Sequence, residues 1–179
     1  WLAQEIHYKG FDTAMLNRYE EFYAEAFFEV LKNNNVELDY YPNHLAQLKF
    51  PDTAEALKPY DVVILSDCGS NTLLLHPDMQ FKLVKKGNRL LAIKEYVHQG
   101  GSLLMCGGYL SFAGMGNMAR YAMTPLAEVL PVEMLNYDDR MEHPEGVRPK
   151  IVDENHVVLE GIDNKTWPEF LGYNKIKAK

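Results

Sequence analysis

The chain has 179 residues, 47% of them apolar, and its 25 acidic and 18 basic side chains give a net charge of −7. That length suits one α/β domain with a sizeable core, and we read 1–179 as a single domain trimmed at both termini. The acid is spread along the whole chain, which leaves no patch for a polyphosphate backbone, so nucleic acid is not expected as a partner.

Apolar runs such as "DVVIL" at 61–65 and "SLLMC" at 102–106 fall far short of the roughly 20 residues that cross a bilayer. No basic-then-apolar signal opens the chain, so we expect no membrane partner and a cytoplasmic location. Cys68 and Cys106 are the only cysteines. Each closes an apolar run, a spacing that fits neither a metal knuckle nor a disulfide scaffold, and no metal is expected.

In chain order, Leu16, Tyr19, Phe22, Tyr23, Ala26, Phe27, Val30 and Leu31 repeat at three and four, which predicts a helix with one buried face. Asp12 and Thr13 stand where its N-cap belongs. After "KNNN", the segment "VELDYY" alternates as a half-exposed strand would. "DTAEALKPY" predicts a short helix, and the β-branched run "DVVILSD" a strand buried on both faces of a parallel sheet. The loop "CGSN" leads to a helix over "NRLLAIKEYVHQ" that stops at Gly100 and Gly101, and "SLLMC" forms the next strand. Past Pro125, "LPVEML", "RPKIV" and "HVVLEGI" read as short strands with polar connections, and "GYNKIKAK" as an alternating strand. This alternation of helix and strand predicts a three-layer αβα sandwich.

Ligand crevices of open α/β sheets lie beyond the carboxyl ends of the strands. Two loops qualify, "SDCGSNT" at 66–72 and "CGGYLSFAG" at 106–114. Cys106 followed by Gly107 and Gly108 has the downstream half of a nucleophile elbow, although Leu104 stands where such an elbow carries glycine. As a nucleophile, Cys106 would draw on backbone N–H groups of Gly107 and of Gly69 or Ser70 as an oxyanion hole. As a structural residue it would be a small buried hydrophobe. Asp67 and Asn71 in the first loop, with Tyr109 and Ser111 in the second, are candidates to hold a small polar ligand. His7, Lys9 and Asp12 in "HYKGFD" read as a solvated loop with a helix cap. His44 ends the second predicted strand, His98 lies on an outer helix face, and His156 is either a further downstream candidate base or a surface histidine at a strand start. "EIHYKGFD" is not the hydroxyl-rich phosphate loop of an electron carrier, and no cofactor is expected. Aromatic residues, 12% of the chain, permit a self-association surface and a homo-oligomer.

The stretches "YDVVILSDCGSNTLLLHPD", "GGSLLMCGGYLSFAG", "TPLAEVLPVEML" and "WPEFLGYN" resemble the glutamine-amidotransferase-like family of bacterial cytoplasmic proteins, over roughly residues 5–176. The resemblance implies a flavodoxin-like, class I amidotransferase-like fold. It places Cys106 at the position of the cysteine that releases ammonia from glutamine. "HPE" at 143–145 spells that family's triad motif, which makes His143 and Glu145 the candidate base pair, although the motif follows the polar stretch "NYDDRME" and reads as a loop. Two functions are therefore expected in competition. One is amide hydrolysis by Cys106, and the other is a non-catalytic domain that binds a sugar or metabolite or serves assembly.

Overall fold

The computed structural model of the protein describes residues 25–163 and 165–179. Its helices are α1 (25–33), α2 (Asn43–Lys49), α3 (Ala54–Leu57), α4 (Ser70–Leu74), α5 (Pro77–Phe81), α6 (Arg89–His98) and α7 (Leu126–Val129). The strands are β1 (Val62–Ser66), β2 (Ser102–Cys106), β3 (Val132–Met134), β4 (Arg140–Val147), β5 (Phe170–Asn174) and β6 (Ile176–Ala178).

β1 and β2 run parallel, in register from Val62 opposite Ser102 to Ser66 opposite Cys106. The connection between them carries α6, as parallel pairing requires. α6 begins because the Asn88 carboxamide oxygen accepts from the N–H groups of Leu90 and Leu91, both at 3.1 Å. It packs because Leu90, Ile93 and Tyr96 recur on one buried face. It stops at Gly100, whose φ of +101° suits a residue without Cβ. Asn88→Ala is expected to lower stability by about 1 kcal/mol, the usual worth of such a cap, with the loss read from urea unfolding midpoints. The core gathers Leu57, Val63, Leu65, Leu73, Leu90, Ile93, Tyr96, Leu110, Tyr121 and Leu126, so β1, α6 and the segment after β2 share one apolar centre.

The other strands are antiparallel, β3 with β6 and β4 with β5. Among the described residues the six strands form three separate two-stranded sheets. The mixed α/β class with a parallel strand pair therefore holds.

Several expectations are corrected. In α1, Ala26, Phe27 and Val30 are exposed, and only Phe28 and Leu31 are half-buried; the remainder of the predicted face and its caps lie outside the described residues, as do His7, Lys9 and Asp12. Residues 36–41 have no strand partner among the described residues, and Val36, Leu38 and Tyr40 are exposed. There Asp39 accepts from the Tyr60 hydroxyl at 2.6 Å, which pushes the Tyr60 pKa up to about 12. β1 buries one face only, through Val63 and Leu65, while Val62 and Ile64 are exposed. "RPKIV" forms no strand. "HVVLEGI" makes a single exposed turn whose cap is His156, with Nδ1 accepting from Val158 N–H at 3.3 Å. His44 opens no strand end but lies in the first turns of α2.

"HPE" is not in a loop but inside β4. Its polar residues hide the strand because the pairing that makes it comes from β5, with Met141 opposite Tyr173 and Arg140 opposite Asn174. The register shifts between Glu142 and Val147. Pro144 and Gly146 fall in that irregular stretch, where a missing ladder hydrogen bond is tolerated.

Candidate functional site

The ends of β1 and β2 present the two loops singled out by sequence, and the second of them opens a segment, 107–121, that is bonded to the first. Asp67, fully buried and at φ +48°, directs its carboxylate across the gap to accept from Leu110 N–H at 2.6 Å. Tyr121, also fully buried, donates its hydroxyl to the Cys68 carbonyl. Ser70 N–H donates to Ala119 O at 3.1 Å. The first loop and the second are thus stitched together by buried hydrogen bonds, which hold position strongly because breaking one strands a desolvated group.

A second brace comes from the carboxyl-terminal strands. Asp139, 1% exposed, precedes β4 and accepts from the consecutive N–H groups of Ala113 (2.9 Å) and Gly114 (2.8 Å). Phe112 and Gly114 sit at φ +56° and +72°, and alternation of handedness along the backbone is what turns neighbouring N–H groups toward one anion. The anion in that nest is the protein's own carboxylate. Asn174, at the end of β5, donates to Asp139 Oδ1 at 2.9 Å and to Gly108 O at 3.0 Å, and accepts from Gly108 N–H at 2.8 Å. A Cβ on Gly107 would stand 3.0 Å from that amide oxygen, so glycine there permits the close approach. Asp138 adds a third carboxylate, accepting from Gly116 N–H at 2.8 Å and from Arg140 through a two-pronged pair at 2.9 and 3.0 Å. The Arg140 guanidinium holds the Asp138 carboxyl far below the usual range. The same guanidinium lies over the Tyr109 ring, 5.4 Å from its centre.

Cys106 is half-buried beside Ser66, its register partner on β1. Burial pushes its thiol pKa up, and the hydrogen bond with Ser66 only partly opposes this. The sulfur is therefore protonated near neutral pH. His143 Nδ1 meets Glu145 Oε1 at 3.0 Å, and this contact lowers the Glu145 pKa. The His143 ring stacks on Tyr173 with centroids 5.5 Å apart, and its Nε2 is buried with no hydrogen-bond partner among the described residues. Neighbouring strand residues point to opposite faces. Tyr173 and Asn174 therefore face opposite ways, Asn174 toward Gly108 and Tyr173 toward His143. The structure brings His143 and Glu145 together but hydrogen-bonds neither to Cys106.

Of the expected ligand residues, Asp67 and Ser111 are buried in the brace, with Ser111 O accepting from Asn174 at 3.4 Å. Asn71 and Tyr109 remain exposed. Gly69 is buried at the start of α4, and the Ser70 N–H expected for an oxyanion is already committed to Ala119. Sequence reasoning missed Asp138, Asp139, Arg140 and Asn174, the residues that organise the segment. Asn174 lay within the quoted "WPEFLGYN", but nothing local marked its side chain as a bridge.

A family profile described as "Putative glutamine amidotransferase" matches residues 1–179. Two solved structures are similar. The cytoplasmic protein STM3548 from Salmonella typhimurium is 47% identical with a TM-score of 0.83, and the match covers 87% of this chain. The cytoplasmic protein STM1381 from Salmonella typhimurium LT2 is 45% identical with a TM-score of 0.78, again over 87% of this chain. The matches take in 63% of the length of each of those chains. No curated protein matches. Among the described residues no helix is long and apolar enough to cross a membrane.

Proposed function

The chain belongs to the putative glutamine amidotransferase family, and from that premise we propose a cytoplasmic small-molecule-binding domain of that fold, a flavodoxin-like three-layer sandwich, in which Cys106 is not a nucleophile. One observation carries the reading. The backbone N–H groups of Gly108, Leu110, Ala113, Gly114 and Gly116 are occupied by Asn174, Asp67, Asp139 and Asp138. An oxyanion hole needs donors waiting for charge that appears only in the transition state; here four donors of the segment after β2 are already held by carboxylates and Gly108 N–H by the Asn174 amide oxygen, which leaves Gly107 N–H as the donor next to Cys106. A protonated thiol next to Ser66 adds to the argument, because the thiolate is the attacking species. The residues that would meet a small polar ligand are the exposed pair Asn71 and Tyr109, with a sugar-like molecule stacking on the Tyr109 ring.

The test has two arms on the full chain. Ammonia release from glutamine should be absent in wild type and in Cys106→Ser alike, and saturation-transfer NMR with a panel of monosaccharides and amino acids should show binding that Tyr109→Ala abolishes and Cys106→Ala keeps. Ammonia release that disappears in a folded Cys106→Ser variant overturns the reading. The pH profile of alkylation supplies a further expectation. Burial disfavours the charged form, so Cys106 should react slowly at neutral pH and speed up only above the ordinary thiol value of about 8.5. Rapid alkylation at pH 7, followed by mass spectrometry, is the contrary result.

Amide hydrolysis remains as a second reading on one specific observation, the oriented His143 and Glu145 pair with an unpartnered Nε2. Its general base would have to reach the Cys106 sulfur to within about 3 Å, and neither His143 nor Glu145 hydrogen-bonds to it here.

A further inference from the structure

Two surface segments carry complementary features that neither reading of Cys106 uses. The first follows α5. Phe81 is 82% exposed and Leu83 88%, and Leu83 has a φ of +53°, a conformation that branched-at-γ residues adopt only under constraint. Lys82, Lys85 and Lys86 flank them, all exposed. Asp78 pairs with Lys82 at 2.9 Å and Lys86 at 3.5 Å, so over 78–86 three lysines face one carboxylate and the segment is basic on a chain of net charge −7.

The second segment is 152–163. Val152 is 95% exposed, with Val157 and Val158 each above 70%. Asp153, Glu154, Glu160 and Asp163 accompany them, all exposed, with no lysine or arginine among these twelve residues. The surface here is shallow and open, formed by Glu154, Asn155, His156, Val157, Leu159 and Glu160 of a single turn. A single exposed valine means little. An apolar–basic segment and an apolar–acidic one on the same chain are complementary in charge, and exposed apolar surface rimmed by charge marks an interaction site. Both remain exposed in one protomer, so neither covers the other.

We propose that the chain associates head to tail with a second copy of itself, the 81–86 segment of one protomer seating on the 152–160 turn of the next. Phe81 and Leu83 meet Val157 and Leu159, and the lysines meet Glu154 and Glu160. The two surfaces differ, so the contact is heterologous and propagates into a closed ring or an open chain of protomers. Opposite charges steer the encounter and make it sensitive to salt.

Sedimentation velocity on the full chain tests this. Wild type should associate with rising concentration at low salt, and less at high salt. A head variant (Phe81→Gln with Leu83→Gln) and a tail variant (Val157→Gln with Val158→Gln) should each be monomeric, since each loses one half of every contact. Mixed in equal amounts they should form a dimer and nothing larger, because one intact head then meets one intact tail. That capped dimer is peculiar to a heterologous contact. Carbodiimide cross-linking of wild type mixed from isotopically light and heavy protein should join Lys82 or Lys85 of one copy to Glu154 or Glu160 of another. This second readout is independent of whether the variants fold. A monomeric wild type at low salt overturns the proposal, as does association that survives in both variants or an absence of light-to-heavy cross-links between the two segments.

Discussion

Asp139→Ala should lower the unfolding free energy by about 3–5 kcal/mol, measured by urea denaturation with the slope unchanged. The figure follows from what the carboxylate leaves behind. Two backbone N–H groups, of Ala113 and Gly114, and the Asn174 amide all point at it in a place where the residue is 1% exposed. A buried donor without a partner costs about 1–3 kcal/mol, and partial relaxation or entry of water keeps three such donors from costing three full penalties. Asp139→Asn keeps one acceptor oxygen but turns an N–H₂ group toward one of the donors, so it should fall between wild type and alanine. A loss below about 1 kcal/mol for the alanine variant would mean that the segment after β2 holds its shape without the nest. The tie would then rest on the other bonds of the segment, those of Asp67, Tyr121, Ser70, Asn174 and Asp138.

What the sequence made legible divides along the distance over which each feature is determined. α6 was readable because its signals are local: a capping Asn88, apolar residues at three and four, and glycines at 100 and 101. β1 and β2 were readable as short apolar runs bounded by turn residues, and their parallel pairing followed from the helix between them. β4 was not readable, since "RMEHPEGV" has no alternation and only one β-branched residue, Val147, and it becomes a strand only through β5, some thirty residues away. The site shows the same division. The position of Asp67 in the loop after β1 made it a candidate to hold a ligand, but a local pattern cannot tell whether a carboxylate faces a ligand or another part of the chain; the structure gives it to Leu110 N–H. The sequence separation between Gly108 and Asn174 is 66 residues, and between Ala113 and Asp139 it is 26. In "NYDDRME" an aspartate looks like a solvated turn residue, and its burial is a tertiary fact that no neighbour in the sequence announces.

Gly114→Ala should cost about 2–4 kcal/mol, and its coupling with Asp139→Ala is more informative than its size. Two separate terms add in the single variant. At φ +72° and ψ −171° the backbone lies in a region essentially confined to glycine, which disfavours an L-residue with a Cβ by roughly 1–3 kcal/mol. The new methyl group would also collide with the Tyr109 carbonyl oxygen and stand 3.1 Å from the Ala119 Cβ. The carbonyl cannot yield cheaply, because it accepts from Met115 N–H at 2.7 Å and so belongs to the same turn. Relief must come from a shift of the Gly114 peptide, and that peptide's N–H is one of the two held by Asp139. Once Asp139 is gone the peptide has less to lose by moving. The double variant should therefore be destabilised by clearly less than the two single losses combined, with an interaction energy of at least about 0.5–1 kcal/mol, as residues in one hydrogen-bond network show. Strict additivity would instead locate the Gly114 penalty wholly in its own backbone conformation and contact with Tyr109, and would separate the left-handed turn from the carboxylate nest that it faces.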